Sequence, residues 1–370
     1  MAKLLFPDQD RIRGNKTSAE CEYALAMLLN FLAFPKREYS EMAQIWQMDR
    51  RAISEYVLVL MDWGVIAGIQ SLTRPFNPHP MPHSILCATT RAILKRWYHL
   101  LWPGDISRIR ANLHKWRRAI CSTLRLAEED YLNVFGFIDG TARRTNRPWG
   151  MSIFQQALYD GHHCYHGFDY EGVTSPDGLI IRLFGPVSAR HNDMGMVGIG
   201  KIQQVVSEEF REETGAPFFL YGDQGYMISP FLLSGKSLDY TLQEKVNNAW
   251  SKQRVAVEWS FGRVVSLWQT LNCFLFQQPQ RRMVAAWYLV SVFLYNCNIC
   301  IYKNSEAYWH FGEDARPPDI EEYLRPKDAD FVRWARKYRP DRSKVIMHDE
   351  VQKWEDWAAD HPDEPVEVAV

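Results

Sequence analysis

The chain has 370 residues, 46% hydrophobic, 24% charged and 14% aromatic, with a net charge of −1. That composition excludes a disordered or low-complexity polypeptide, and the length suffices for two or three domains with a sizeable core. Charge is uneven: residues 1–125 carry 18 Lys and Arg against 10 Asp and Glu, whereas residues 341–370 carry 3 against 9. A basic front suits a nucleic-acid partner, although ordinary surface variation produces the same imbalance.

In chain order, residues 19–34 read as a helix stopped by Pro35. Ser40 is positioned to cap a second helix over 41–48 and Asp49 a third, running to about Trp63 with Gly64 as its stop. Arg50 and Arg51 fall in the first turn of the third helix, and Ile53, Val57, Leu60 and Met61 mark its buried side. Residues 1–71 therefore resemble an all-helical, helix-turn-helix-like domain whose third helix reads DNA; a plain helical scaffold has the same pattern. Residues 72–84, with Pro75, Pro78, Pro80 and Pro82, read as a stiff linker. A basic helical region over 85–129 follows, broken at Pro103-Gly104. Its Arg108, Arg110, Lys115, Arg117, Arg118 and Arg125 suit either a phosphate backbone or a solvated face.

From about 130 the pattern changes to strands: 134–138, 167–174, 179–184 and 217–222. Ser175-Pro-Asp-Gly178 between the second and third predicts a β-hairpin, since Pro fixes φ and Gly supplies positive φ. Helices are predicted near 193–210 and 247–268. The apolar stretch 283–301 is marginal for crossing a membrane and contains Ser291, Asn296 and Asn298, so it reads as a buried core helix. The order β-β-β-α-β-insert-α over 130–303 matches an RNase H-like core, an α/β fold with a mixed five-stranded sheet flanked by helices. In that core the first and fourth strands lie side by side. Residues 304–370 read as a charged tail.

Three acids stand out in this pattern. Asp139 ends the run Val134–Ile138, Asp223 ends Phe218–Gly222, and Glu258 lies on the amphipathic stretch Arg254–Gly262. Two aspartates at the ends of neighbouring strands plus a helical glutamate bring distant carboxylates to one point. Their repulsion calls for a cation, and hard oxygen ligands suit Mg2+ or Mn2+. The chemistry implied is metal-assisted attack on phosphodiesters, with two ions bridged by Asp139. Arg143, Arg144 and Arg147 follow Asp139 directly and are candidates for gripping phosphates. Asp193, at a helix start, is an alternative or accessory ligand, although a carboxylate there can simply cap the helix.

Seven cysteines are present without a paired framework, which fits a reducing compartment. Cys297 and Cys300 form C-x-x-C inside the apolar run and read as packing. His162, His163, Cys164 and His166 lack zinc spacing and read as a loop. No secretory signal is visible at the start.

Ordered motifs carry a resemblance across about 125 residues. They are Gly136-Phe-Ile-Asp-Gly-Thr141, Arg147-Pro148, Gln156, Tyr159-Asp-Gly-His162, His166-Gly167, Pro176-Asp-Gly-Leu179, Phe184-Gly-Pro-Val187, Arg190-His-Asn-Asp193, Tyr221-Gly-Asp-Gln-Gly-Tyr226 and Val255-Ala-Val-Glu-Trp-Ser-Phe-Gly262. Together they resemble the PIF/Harbinger transposases, a DDE-type group. The resemblance implies an RNase H-like fold, divalent metal, and cleavage and joining of DNA at transposon terminal inverted repeats. It also implies a homo-oligomer on DNA, a separate Myb-like partner, and location in the nucleus, partner-assisted, or else in the cytoplasm. Bacterial relatives place an Arg one turn before the catalytic Glu, which Arg254 matches at i−4, and a Lys after it. Position 265 is Val, and Arg263 is the nearest substitute for DNA contact. A domesticated DNA-binding protein and a nuclease without strand transfer are the competing readings.

Overall fold

The computed structural model describes residues 1–14, 17–33, 83–124, 132–148, 155–156, 158–189, 191–234, 243–273, 277–279 and 282–340. The second and third helices of the expected helix-turn-helix, with Arg50 and Arg51, and nearly all of the Pro-rich linker lie outside the described residues.

The front begins with α1 (Ala2–Leu5), β1 (Arg11–Gly14), β2 (Thr17–Glu20) and α2 (Cys21–Ala33). It is therefore not all-helical as expected, because β1 and β2 pair as an antiparallel hairpin. Arg11-Ile12-Arg13 alternates at a period of two with only Ile12 buried, a pattern too short to stand out in sequence. The helices α3 (His83–Trp97) and α4 (Ile106–Leu124) follow, the latter burying Ile109, Leu113, Trp116 and Ile120 along one face. Arg108 belongs to that buried side: its guanidinium pairs with Asp177 at 2.8 Å and lies over the Trp116 ring. Arg110 pairs with buried Glu209. Arg108 is thus an internal tie between α4 and the β5–β6 turn, while Arg110, itself exposed, reaches in from the surface to the buried carboxylate.

The sheet contains β3 (Val134–Thr145), β4 (Tyr159–Asp160), β5 (Tyr165–Thr174), β6 (Ile180–Ser188), β7 (Phe219–Gly222) and β8 (Leu232–Ser234). β3, β5 and β6 form an antiparallel meander, while β7 pairs parallel to β3 and β8 parallel to β7. The first and fourth long strands are neighbours, as the sequence pattern predicts. The β5–β6 turn is the expected hairpin: Gly178 has φ +83° and its N–H donates to the Ser175 carbonyl. Between β6 and β7 lie α5 (Asp193–Gly200) and α6 (Ile202–Glu209), separated where Lys201 takes a left-handed conformation.

Helix α7 (Gln243–Leu267) crosses β3 and β5, and α8 (Val284–Tyr302) forms the centre of the core. α8 is long and apolar enough to cross a membrane, yet 94% of its apolar window is buried inside the protein. Its Asn296 amide is satisfied there, bonding both backbone groups of Ile180 and the Tyr323 hydroxyl. Cys297 and Cys300 are free and buried. The front and the back of the chain close over this helix. Phe31 meets the Trp287 ring edge-on at 4.8 Å, and Trp97 Nε1 donates to the Leu5 carbonyl. The polar stretch after 304 carries α9 (Glu306–Phe311), α10 (Ile320–Tyr323) and α11 (Phe331–Lys337), whose Phe311, Tyr323 and Trp334 are buried. The result is a mixed α/β architecture with a mixed sheet flanked by helices.

Candidate active site

Register brings the first two acids together. Phe137 on β3 and Tyr221 on β7 are parallel partners, so Asp139 and Asp223, each two residues further on, stand at the same height; Asp223 follows the end of β7, whereas Asp139 lies within β3, which runs on to Thr145, and not at its end as expected. Asp139 accepts the Gly140 N–H at 2.9 Å and the Arg254 guanidinium at 3.3 Å. Asp223 accepts the Gly225 N–H at 2.8 Å.

Asp193 joins them. Its place at a helix start suits a cap, but the cap of α5 is Asn192, whose side chain accepts the Gly195 N–H at 2.9 Å. That frees the Asp193 carboxylate to turn toward the strand ends. A Cβ on Gly140 would stand 2.7 Å from Asp193 Oδ1, and one on Gly225 would stand 3.0 Å from both Asp193 Oδ2 and Asp223 Oδ1. The two glycines thus leave the room in which three carboxylates gather.

Electrostatics record the crowding. Burial pushes the Asp139 carboxyl up to about 6; Arg254 opposes the shift, while Asp223 and Asp193 add to it. Burial and then Asp223 raise Asp193. Tyr226 lies buried behind the cluster, and its hydroxyl has no hydrogen-bond partner among the described residues. Neighbouring Asp169 on β5 is pushed up to about 7 by burial first, then by Asp160 and Asp193. Nothing in the sequence marks Asp169, because its charge sits in the polar half of a strand that looks solvent-facing.

Glu258 stands apart from the aspartates. Its side chain is 49% exposed and is held by Arg254, one turn earlier on α7, at 2.7 Å. Arg254 therefore bridges Asp139 and Glu258, a fixed cation between two carboxylates. Among the described residues no three His, Cys, Asp or Glu side chains are spaced to hold one ion as they stand. α7 is seated by Phe261, whose ring packs so close to Gly172 of β5 that a Cβ there would lie 2.5 Å away.

The predicted phosphate-gripping arginines divide. Arg144 is exposed, with its guanidinium 4.7 Å from the Tyr165 ring, and exposed Arg147 donates to Gln155. Arg143 instead turns inward over Tyr288 and donates to Thr141. Arg263 lies half-buried on α7. His162, His163 and Cys164 form a turn leading into β5, as expected, whereas His166 lies on β5 itself; His163 pairs with Asp160 at 2.7 Å.

No curated protein and no solved structure matches the chain. Residues 138–296, which hold all four acids, match the family model described as DDE superfamily endonuclease, and over that segment the chain is similar to this family.

Proposed function

We propose that the chain is a DDE-type endonuclease that cuts and joins DNA phosphodiesters at transposon ends, using divalent metal at Asp139, Asp223 and Glu258, with Asp193 as a further ligand. The observation that carries this reading is the convergence of three half-buried aspartates around Gly140 and Gly225. The residues fit a hard cation: all donors are carboxylate oxygens, Asp139 and Asp193 are held partly buried with their carboxyls pushed up, and a Cβ at Gly225 would fill the space between Asp193 and Asp223. Two bound Mg2+ or Mn2+ ions would supply Lewis-acid polarisation of the phosphate and activation of water or a 3′-hydroxyl.

The chain's own groups do the rest. Asp139, on the central strand, is shared by the cluster, and β3 and β7 fix the Asp139–Asp223 relation. Glu258 becomes available when Arg254 releases it, and the freed guanidinium can then meet a DNA phosphate. Arg144 and Arg147 lie outward on the same strand and its exit, placed to hold the backbone beside the cut. Arg263, the Myb-like partner, oligomerisation on DNA and nuclear location belong to the same reading and rest on the resemblance alone.

The test is cleavage of supercoiled plasmid carrying the DNA that flanks the coding sequence. Cutting should require Mg2+ or Mn2+ and fall by about 100-fold or more in Asp139→Asn and Asp223→Asn. Cutting that survives both substitutions removes the carboxylate site. Metal-independent, sequence-specific binding without cutting would support a domesticated DNA-binding protein instead.

A further inference from the structure

A second feature adjoins the aspartates. A cavity of about 880 Å3 opens on the same face and shares Gly140 and Asp193 with the carboxylate cluster. Its size lies within the range of pockets that take small organic groups, roughly 300–1,000 Å3. Beyond β3 and the start of α5, its walls are β4, the turn 161–164 and the first half of β5, segments that the proposed phosphodiester chemistry does not use.

The lining is aromatic at the mouth and polar within. Tyr159 is 41% exposed at the rim, with its ring 5.1 Å from that of His166. The His163 ring lies 5.9 Å from Tyr165, whose own ring carries the Arg144 guanidinium at 4.7 Å. The Asp160 carboxylate is already satisfied, accepting the His162 and His163 N–H groups at 2.8 and 3.1 Å and facing His163 Nδ1 at 2.7 Å. That network fixes the imidazole in the wall. Gln156 and Asp169 add hydrogen-bonding groups, and among the described residues no third ligand completes a metal site there. Ring faces for stacking, with amide and carboxyl groups for edge contacts, suit a planar heterocycle and not an acyl chain or a free anion.

We propose that this cavity receives one unstacked base of the DNA strand whose phosphodiester lies at the aspartates. The inference rests on the proposed endonuclease activity, because the shared Gly140–Asp193 wall is what places the pocket within a nucleotide or so of the cut. Turning a base out of the stack bends its phosphate away from the duplex, which exposes the bond to in-line attack. The cost of unstacking is offset by stacking on Tyr159 and Tyr165. A free nucleotide shares the ring chemistry and is distinguished below.

The experiment uses the full chain and a DNA duplex centred on the mapped cut. Ca2+ replaces Mg2+, and 5-iodouracil is placed singly at each position near the scissile phosphate. On irradiation, one position should crosslink to Tyr159, Tyr165 or His163, as located by mass spectrometry. Tyr159→Ala should weaken binding of that duplex about tenfold, while Tyr159→Phe, which keeps the ring, should bind like the unaltered protein. The exposed ring makes the alanine variant a mild change, and an unchanged melting curve verifies its fold. Crosslinks confined to other residues, in a protein that still cuts this DNA, overturn the inference and leave the activity standing. Failure to cut removes both. Equal crosslinking by 5-iodo-dUMP that the duplex does not displace would assign the pocket to a free nucleotide and also overturn the proposal.

Discussion

Asp139 shows how a half-buried acid reports on its surroundings. Its folded-state carboxyl sits near 6, that of Asp169 near 7, and Asp193 is also raised, all above an unfolded value of about 3.9. The native state therefore holds more protons than the unfolded chain between about pH 4 and 7, and stability falls as pH rises through that window. For Asp139 alone the effect is on the order of 3 kcal/mol. The metal-free protein should melt at a lower temperature at about pH 7.5 than at about pH 5. Mn2+ should raise the melting temperature at the higher pH and change it little at the lower, since the ion must displace protons to bind. A melting temperature that climbs with pH in EDTA would contradict the raised, burial-driven carboxyls.

Arg254 is the second residue that decides the site's behaviour. Replacing it by Ala leaves Asp139 facing Asp223 and Asp193 with no opposing charge from α7. The metal-free fold should lose roughly 1–3 kcal/mol by denaturant titration. Calorimetry should show tighter Mn2+ binding in the same variant, because the guanidinium no longer competes. Weaker Mn2+ binding would mean that Arg254 supports the ion instead of standing in for it.

At the scale of elements, legibility depends on run length and edges. Strands β3, β5, β6 and β7 show as apolar runs closed by turn residues, and the Ser175–Gly178 turn announces its hairpin. The second half of β3, Ala142–Thr145, hides because it is polar; it pairs with the equally polar beginning of β5. β4 and β8, of two and three residues, are too short for any period to appear. The break between α5 and α6 is equally silent, since Lys201 carries no mark of its left-handed backbone. Within the site, the end of an apolar run points to Asp139 and the end of a strand to Asp223, and i,i+4 spacing points to the Arg254–Glu258 contact. Asp193 is ambiguous in the sequence because a carboxylate at a helix start can simply cap the helix, and the fold gives that cap to Asn192 instead.

The seat of α7 offers a test at this scale. Gly172→Val would drive a branched side chain into the Phe261 ring, which already lies 2.5 Å from where a Cβ would stand. The expected loss is about 1–3 kcal/mol in thermal or chemical unfolding. Because α7 carries both Arg254 and Glu258, cleavage should fall more steeply than stability at temperatures where the variant is still folded. An unchanged melting temperature would mean that the helix has another seat.

Across the whole molecule, one continuous core runs from Ala2 to Tyr338 and draws on elements from both ends of the chain. The segment similar to DDE endonucleases, 138–296, is embedded in it. α4 and α9 pack beneath β3 and α7, and α10 packs on α8. β6 gains most from this arrangement. Among the described residues it has a strand partner only in β5, yet all nine of its residues are buried. Its outer side is closed by bonds from separate places: Asn296 takes both backbone groups of Ile180, and the Leu183 N–H donates to the Leu101 carbonyl.

Those scattered bonds amount to a guard against polymerisation. A strand edge with free N–H and C=O groups is a template for another copy of itself, and natural proteins cover or charge such edges. A fragment spanning 130–303 would keep β6 and Asn296 but lose Leu101 and the Tyr323 hydroxyl that steadies the amide. It should associate through that edge into soluble oligomers or fibres, visible by light scattering and thioflavin fluorescence, whereas the 370-residue chain should not. A monodisperse, monomeric fragment would show that the edge is guarded from within the segment. On this view the helices before and after the nuclease-like segment do more than frame a site. They keep one strand of it from meeting its own copies.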